Sequence, residues 1–336
     1  MAKRVSIKDI AAKVGVSTAL VSYVLNGQEK EKRVGKEIVE KIKLAARELN
    51  YQPNQIARSL RTGSTNTIGL IIADISNPFF GQLARIIEDE ASKYNYVVII
   101  GSSGEGSRKS QALTETLLNR QVDGFILVPS EGDEALVISL IERDVPLILI
   151  DRNFAGIESN FVMLDNYQAT FNATCRLIDN GYRKIMLVAY RSELNHMKNR
   201  ISGYTEAMQL AGLTVSLNLL ESHDENQATL MDKIVTDVET EAILFATNTL
   251  SVAGLYALMR NKISVPEQLA VVGFDKSEVY DFFDPPVAFI EQPLDEMGKN
   301  AVQSLMKLIN GSKEPIQFSL NAQFNERPSI KRKQPE

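Results

Sequence analysis

The chain is poor in the residues that build disulfide frameworks and metal centres: its 336 residues include one cysteine, Cys175, and two histidines, His196 and His223. An intrachain disulfide is thereby excluded, and so few thiol and imidazole ligands cannot assemble a zinc site. Cys175 falls in an apolar helical pattern with Phe171 and Ile178, so it reads as a small core residue rather than a nucleophile. No apolar run approaches the length of a membrane-spanning helix, and Met1 to Ser6 lacks the apolar stretch of a signal peptide. A cytoplasmic protein with no membrane partner is therefore expected. Catalytic signatures are missing too. The Gly101-Ser102-Ser103-Gly104-Glu105-Gly106 loop has neither the P-loop spacing nor a clean G-x-G-x-x-G, and no G-x-S-x-G elbow offers a serine nucleophile. The loop is read as a pocket-rim turn, and neither an enzyme nor a cofactor is expected.

A strong excess of one charge is also lacking overall, with 37 Lys and Arg against 42 Asp and Glu, but the distribution is lopsided. Residues 1–62 carry 13 basic and six acidic side chains, a net +7, which leaves −12 for the remainder. A basic head on an acidic body suits a phosphate-binding module carried by a partner that itself avoids nucleic acid. Short basic stretches are more often solvated faces; here the charge coincides with a motif.

Residues 6–50 predict three short helices. Ser6 caps the first with Asp9 three residues on, Ile10, Ala11 and Val14 follow at helical spacing, and Gly15 breaks it. Ser17 caps the second, whose inner face is Leu20, Val21, Val24 and Leu25 and which Asn26-Gly27 ends. A polar spacer, Gln28 to Arg33, leads to a third at about 35–49, with Ile38, Ile42, Ala45, Ala46 and Leu49 on one side. Pro53 interrupts, Asn54 caps one more short helix over 55–60, and Thr62-Gly63-Ser64 stops it.

From Thr67 onward, apolar runs of strand length (68–73, 97–101, 124–128, 147–151, 161–164, 185–188, 215–220, 242–245, 269–273 and 288–291) alternate with helical patterns (79–94, 110–119, 169–180, 200–211, 228–238, 250–260 and 296–309). Such alternation implies parallel sheets with helices on both faces. There are too many units for one comfortable sheet, so the body is divided into two α/β lobes. Their seam is placed near Asp165, with further crossings near Gln292 and Ser319. The expected domains are a basic three-helix head at 1–52, a hinge and linker at 53–66, and a two-lobed body at 67–336.

Helix, glycine-containing turn, then a helix opened by serine is the helix-turn-helix pattern, whose second helix enters the major groove. The run Ile7-Lys8-Asp9-Ile10-Ala11, Val14-Gly15-Val16-Ser17, Val21-Ser22-Tyr23-Val24-Leu25-Asn26-Gly27, then Leu49-Asn50-Tyr51-Gln52-Pro53-Asn54 and Ala57-Arg58-Ser59-Leu60-Arg61, resembles the LacI/GalR family of bacterial transcriptional regulators. The likeness continues through Ile75-Ser76-Asn77-Pro78-Phe79-Phe80, Arg200-Ile201-Ser202-Gly203-Tyr204 and Val272-Gly273-Phe274-Asp275. It implies a homodimer on pseudo-palindromic double-stranded operator DNA, a body like the type I periplasmic sugar-binding proteins, and repression of carbohydrate-utilisation genes under a small polar effector. Carried over by position, Thr18, Ala19 and Tyr23 would face base edges, while Ser17, Ser22 and Asn26 would hold phosphates. Asn54, Ala57 and Arg58 would contact backbone or minor groove, and Leu60 would wedge between base steps. One departure is the spacer 28–33, longer than the family's usual link and expected to bulge outward.

Ligands of parallel α/β lobes bind where strands end, in the crevice between lobes. The resemblance supports Asn77, Phe79, Phe80, Asp151, Arg200, Asn248 and Asp275 as effector contacts, and Arg152 and His196 are added from their positions beside that set. Where many members have Asn-Asp this chain has Asn248-Thr249, so a contact made by that acid is lost. Two other readings compete. A constitutive or architectural DNA binder would have no need of a polar crevice, and a free-standing periplasmic binding protein would not start with a DNA-binding head.

Overall fold

The computed structural model describes residues 5–51, 63–222 and 225–331. The chain divides into two compact units, Met1–Thr65 and Asn66–Glu336.

The first unit holds helices Ile7–Val14, Thr18–Leu25 and Lys36–Glu48 around a small core of Ile10, Val21, Val24, Val39, Ile42, Ala45 and Ala46. The Asp9 carboxylate accepts from both the backbone N–H and the hydroxyl of Ser6 at 2.7 Å, which fixes the start of the first helix. Gly15, at φ +76°, ends it in the left-handed conformation that glycine adopts without strain. The third helix buries Val39 rather than Ile38, and Ile38, Leu49, Leu20 and Leu25 are only half-buried. Small-domain cores cover such flanking positions incompletely.

The second unit contains two six-stranded sheets. The first comprises β1 (Thr67–Ile72), β2 (Val97–Ser102), β3 (Gly124–Leu127), β4 (Leu147–Ile150), β5 (Phe161–Leu164) and β11 (Gln317–Leu320), all parallel in the order β11-β5-β4-β3-β1-β2. The second comprises β6 (Ile185–Tyr190), β7 (Ser216–Leu220), β8 (Ala242–Phe245), β9 (Ala270–Phe274), β10 (Ala288–Glu291) and β12 (Gln323–Asn325), in the order β12-β10-β9-β8-β6-β7. Only β12 runs antiparallel to its neighbour there. Central strands such as Leu147-Ile148-Leu149-Ile150 are buried along their whole length because helices cover both faces. Side chains alternate: Ile148 and Ile150 pack with Leu83, Ile87, Ala301 and Leu305 on one face, Leu147 and Leu149 with Leu117, Val137 and Leu140 on the other.

The chain passes between sheets three times. After β5, Asp165 caps helix Asn166–Asp179, which packs on the second sheet. After β10, helix Leu294–Ile309 returns to the first core, and β11 and β12 then divide between the two sheets. These short terminal strands and the helices Glu134–Glu142 and Val279–Phe282 were not foreseen from the sequence. Among the described residues no helix is long and apolar enough to cross a membrane.

Candidate functional site

In the head, Ser17, Thr18, Ala19 and Asn26 are exposed and Ser22 and Tyr23 are half-buried, and the spacing 18, 19, 22, 23 and 26 is that of one helix face. The Ser17 hydroxyl oxygen accepts from the Leu20 N–H at 3.2 Å and fixes the start of the helix. The first N–H groups of a helix lack intrahelical partners, which makes this terminus suited to a phosphate. Asn26 folds its amide back onto Ser22, donating to its carbonyl at 2.7 Å and to its hydroxyl at 3.1 Å. The spacer is an exposed turn at residues 30–33, its backbone wound by Lys32 N–H to Gln28 O and Val34 N–H to Glu29 O, while Glu29 reaches back to Lys43 at 3.2 Å. Asn54, Ala57, Arg58 and Leu60 lie outside the described residues.

In the body, the strands of each sheet end toward the crossing segments, and the polar residues gather there. Asp151 follows β4 and Asp275 follows β9, both at left-handed φ, +69° and +62°. Such conformations cost a non-glycine residue free energy and persist where surrounding contacts enforce them. Asp151, Arg152, His196, Arg200, Asn248 and Asp275 are all buried. The Arg200 guanidinium donates to the Asn166 side chain at 2.7 Å and to the Ala246 carbonyl at 2.6 Å, and lies 3.7 Å from the centre of the Phe274 ring. Arg152 forms a bidentate pair with Glu105, at 2.5 and 2.9 Å, and stands 5.8 Å from the Phe80 ring. Gln292 donates to Asp275 at 2.8 Å. Asn248 opens helix Asn248–Asn261 and points its amide at the Tyr280 hydroxyl, 3.5 Å away.

Asn77 plays a structural part that its sequence position did not reveal: its side chain accepts from the Phe79 N–H at 3.0 Å and caps helix Pro78–Ser92. Phe79 and Phe80 are buried, with ring centres 4.9 Å apart in an edge-to-face arrangement. Glu105, Asn166 and Gln292 are partners of the predicted residues that sequence reasoning passed over. Glu105 sits in the glycine-rich loop read as a mere turn, 47 residues from Arg152. Asn166 and Gln292 flank the seam, and that position was their only signal.

Charge in this cluster is strongly coupled to burial. The Asp275 carboxyl is pushed up to about 6, chiefly by burial and against the pull of Arg200 and the Gln292 hydrogen bond. Asp151 is raised for the same first reason, with Arg152 and Arg200 opposing. His196 is held well below 6.5 by burial and then by Arg152 and Arg200, so it is a neutral imidazole at physiological pH. Three buried polar atoms in this region lack hydrogen-bond partners: Arg152 Nε, His196 Nδ1 and the Gln292 side-chain oxygen. The Arg152 atom lies 3.4 Å from an Asp151 oxygen without hydrogen-bond geometry.

The two lobes touch across one side of the crevice. Ser192 and the Glu193 N–H donate to Glu131 at 2.6 and 2.7 Å, Asn195 donates to Asn153 at 2.9 Å, and Leu194 is buried in the first lobe's core beside Phe154. A cavity of about 630 Å³ is bordered by Phe79, Asp275, Gln292, Leu294 and Asn321; Asp151, Arg152, His196, Arg200 and Asn248 do not line it. That volume suits a small ligand. A cavity of about 700 Å³ at the opposite ends of β4 and β11, bordered by Pro146, Glu158 and Lys313, holds none of the predicted residues. Among the described residues no group of three or more His, Cys, Asp or Glu could hold a metal ion.

Residues 6–54 match the family model described as bacterial regulatory proteins, lacI family, and residues 65–327 match that of periplasmic binding proteins and the sugar binding domain of the LacI family. Catabolite control protein A of Priestia megaterium is 33% identical over 94% of this chain and 95% of its own length. The ribose operon repressor of Haemophilus influenzae is 31% identical over 92% of this chain and 93% of its own. A solved complex of the transcriptional regulator CelR with cellobiose superposes with a TM-score of 0.72 at 26% identity, covering 97% of this chain and all of that one.

Proposed function

The chain belongs to the lacI family of bacterial regulatory proteins, and from that membership we propose a repressor of carbohydrate-utilisation genes controlled by a sugar or sugar derivative. Membership makes it a DNA-binding transcriptional regulator and not an enzyme. The finer reading is that Ser17, Thr18, Ala19, Ser22, Tyr23 and Asn26 meet operator DNA in the cytoplasm. Asp151, Arg152, His196, Arg200, Asn248 and Asp275 hold the effector between the lobes, with Asn77, Phe79 and Phe80 shaping its wall.

The observation that carries the effector reading is the buried polar cluster with two unpartnered atoms in it, an imidazole nitrogen and an amide oxygen. A buried polar atom without a partner is costly, so a ligand that satisfies it gains affinity. Donors and acceptors are mixed, and two arginines are balanced by Asp151, Asp275 and Glu105, which fits a neutral polyhydroxylated molecule better than an anion. Aromatic rings at Phe79, Phe80 and Phe274 supply apolar faces beside the polar groups. The relative named ribose operon repressor and the solved complex with cellobiose support a carbohydrate as the class of ligand.

Thermal-shift screening of the full chain against neutral sugars, sugar phosphates and nucleosides tests this, because a ligand selective for the folded state raises the melting temperature by mass action. A neutral sugar is expected to give the largest shift. A response confined to nucleosides would overturn the proposal, and one confined to phosphorylated sugars would overturn its preference for a neutral ligand. A homodimer is proposed as the DNA-binding species, with Tyr256, Met259 and Phe282 as candidates for its apolar contact, since all three are large and exposed.

A further inference from the structure

The spacer between the second and third helices folds so that a cation stands beside the helix proposed to read DNA. The Gln28 N–H donates to the Tyr23 carbonyl at 2.9 Å, tying the spacer's first residue to that helix. The Lys32 N–H then donates to the Gln28 carbonyl at 2.9 Å, Arg33 takes a left-handed φ of +50°, and Val34 closes on Glu29 at 2.8 Å. Glu29 pairs with Lys43 of the third helix, so the turn is anchored at both ends. The consequence is that Lys32 Nζ stands 5.8 Å from the centre of the Tyr23 ring. An ammonium in that range is attracted to the ring's negative face.

We propose that Lys32 is a positioning residue for operator selectivity: it occupies one face of Tyr23, so that the ring's edge and hydroxyl, rather than that face, are presented to the base pairs. The inference rests on the reading of Tyr23 as a base-contacting residue. A plain phosphate contact by Lys32 is the competing role. Lys32 Nζ also lies 2.9 Å from the Glu31 carboxylate, a solvent-exposed pair that helps hold the ammonium beside the ring.

The test uses the full chain and a randomised duplex DNA library, from which the preferred sequence is selected and each single-base variant of it is then measured. Tyr23→Ala should relax preference at one or two base pairs. Lys32→Ala should relax the same base pairs by roughly two- to fivefold, the range expected of an exposed cation and aromatic pair, and leave the others unchanged. Lys32→Arg should retain the preference, and the double variant Lys32→Ala with Tyr23→Ala should be no more relaxed than Tyr23→Ala alone. Lys32 is surface-exposed, so a matched thermal melt is expected and confirms that the variants fold. Uniform weakening across all sequences with a shallower salt dependence would overturn the proposal in favour of a phosphate contact. Unchanged discrimination in Lys32→Ala would overturn it outright. Unchanged discrimination in Tyr23→Ala would instead remove the reading of Tyr23 on which it stands.

Discussion

Arg200 is committed on three sides: to the Asn166 amide, to the Ala246 carbonyl and to the Phe274 ring. Its planar guanidinium is therefore held before any ligand arrives, which lowers the ordering cost of binding. Arg200→Lys keeps the charge and loses the fork and the stacking plane. Effector affinity, measured by calorimetry with the sugar found by screening, should fall on the order of tenfold to a hundredfold, the cost of a charged hydrogen bond. Affinity for DNA without effector should be nearly unchanged; unaltered effector affinity would take Arg200 out of the site. His196 and Asp275 give a pH signature of opposing signs. The folded state keeps His196 neutral, so the stability it contributes is present above 6.5 and is lost as pH falls below that value. Asp275 binds its proton more tightly when folded, so its contribution is full below 3.8 and is lost as pH rises through about 6. The two partly cancel in mild acid. His196→Asn should flatten the loss of stability between about pH 6.5 and 5, and Asp275→Asn should steepen it, as read by urea unfolding across that range. A His196→Asn curve parallel to the parent's would assign the acid loss to other groups. Strand-end logic was enough to single out Asp151 and Asp275 in the sequence, because an acid directly after an apolar strand stands at the crevice. Glu105 was illegible, because its pairing with Arg152 exists only once two loops meet.

Helices Asn166–Asp179 and Asn195–Leu210 lie so close that Gly203 has no room for a side chain. A Cβ there would fall 2.2 Å from the Tyr167 carbonyl and 2.6 Å from the Thr170 hydroxyl. The same Thr170 hydroxyl donates to the Arg200 carbonyl at 2.8 Å, so the close approach also sets where Arg200 starts. Gly203→Ala must push the helices apart, and overpacking of this kind costs roughly 1–3 kcal/mol. The variant should melt several degrees lower and should bind the effector more weakly although residue 203 touches no ligand. A stable variant with weakened binding would still support the coupling; a destabilised variant with parental affinity would refute it. Elements of this sort were readable where their pattern was strong. The fully apolar runs of β3, β4 and β8 announce buried parallel strands, and the spacing of helix Leu294–Ile309 announces a one-sided helix. Helix Glu134–Glu142 was hidden because Ala135-Leu136-Val137-Ile138 is apolar without helical period. The strands β11 and β12 were hidden because Gln317-Phe318-Ser319 is largely exposed at a sheet edge and Gln323–Asn325 spans three residues. Their pairing depends on partners more than 30 residues away.

The proposed homodimer would have to pair acidic bodies, so its pairing surface must gain enough apolar burial to overcome self-repulsion. Helix Asn248–Asn261 offers such a surface. Leu250, Leu255 and Leu258 face the second lobe's core, while Tyr256 and Met259, three positions apart and therefore on one helix face, are 62% and 65% exposed. Phe282, on the short helix whose Tyr280 enters the same core, is 86% exposed. On the first lobe, Val97 and Ile100 of the edge strand β2 are exposed as well. Replacing Tyr256 and Met259 together by glutamate adds two negative charges to an acidic body and removes two apolar side chains, without touching the core residues between them. The expected outcome is a monomer by sedimentation at micromolar concentration, with a normal far-ultraviolet spectrum. Since each head would then bind alone, affinity for the selected symmetric DNA should fall by about two to four orders of magnitude, the advantage that linkage confers. The slope of log affinity against log salt should drop to about half, because half the phosphate contacts remain. A double variant that still sediments as a dimer and keeps the parental slope would show that the copies join through another face, and the exposed edge at Val97 and Ile100 would be the next surface to change.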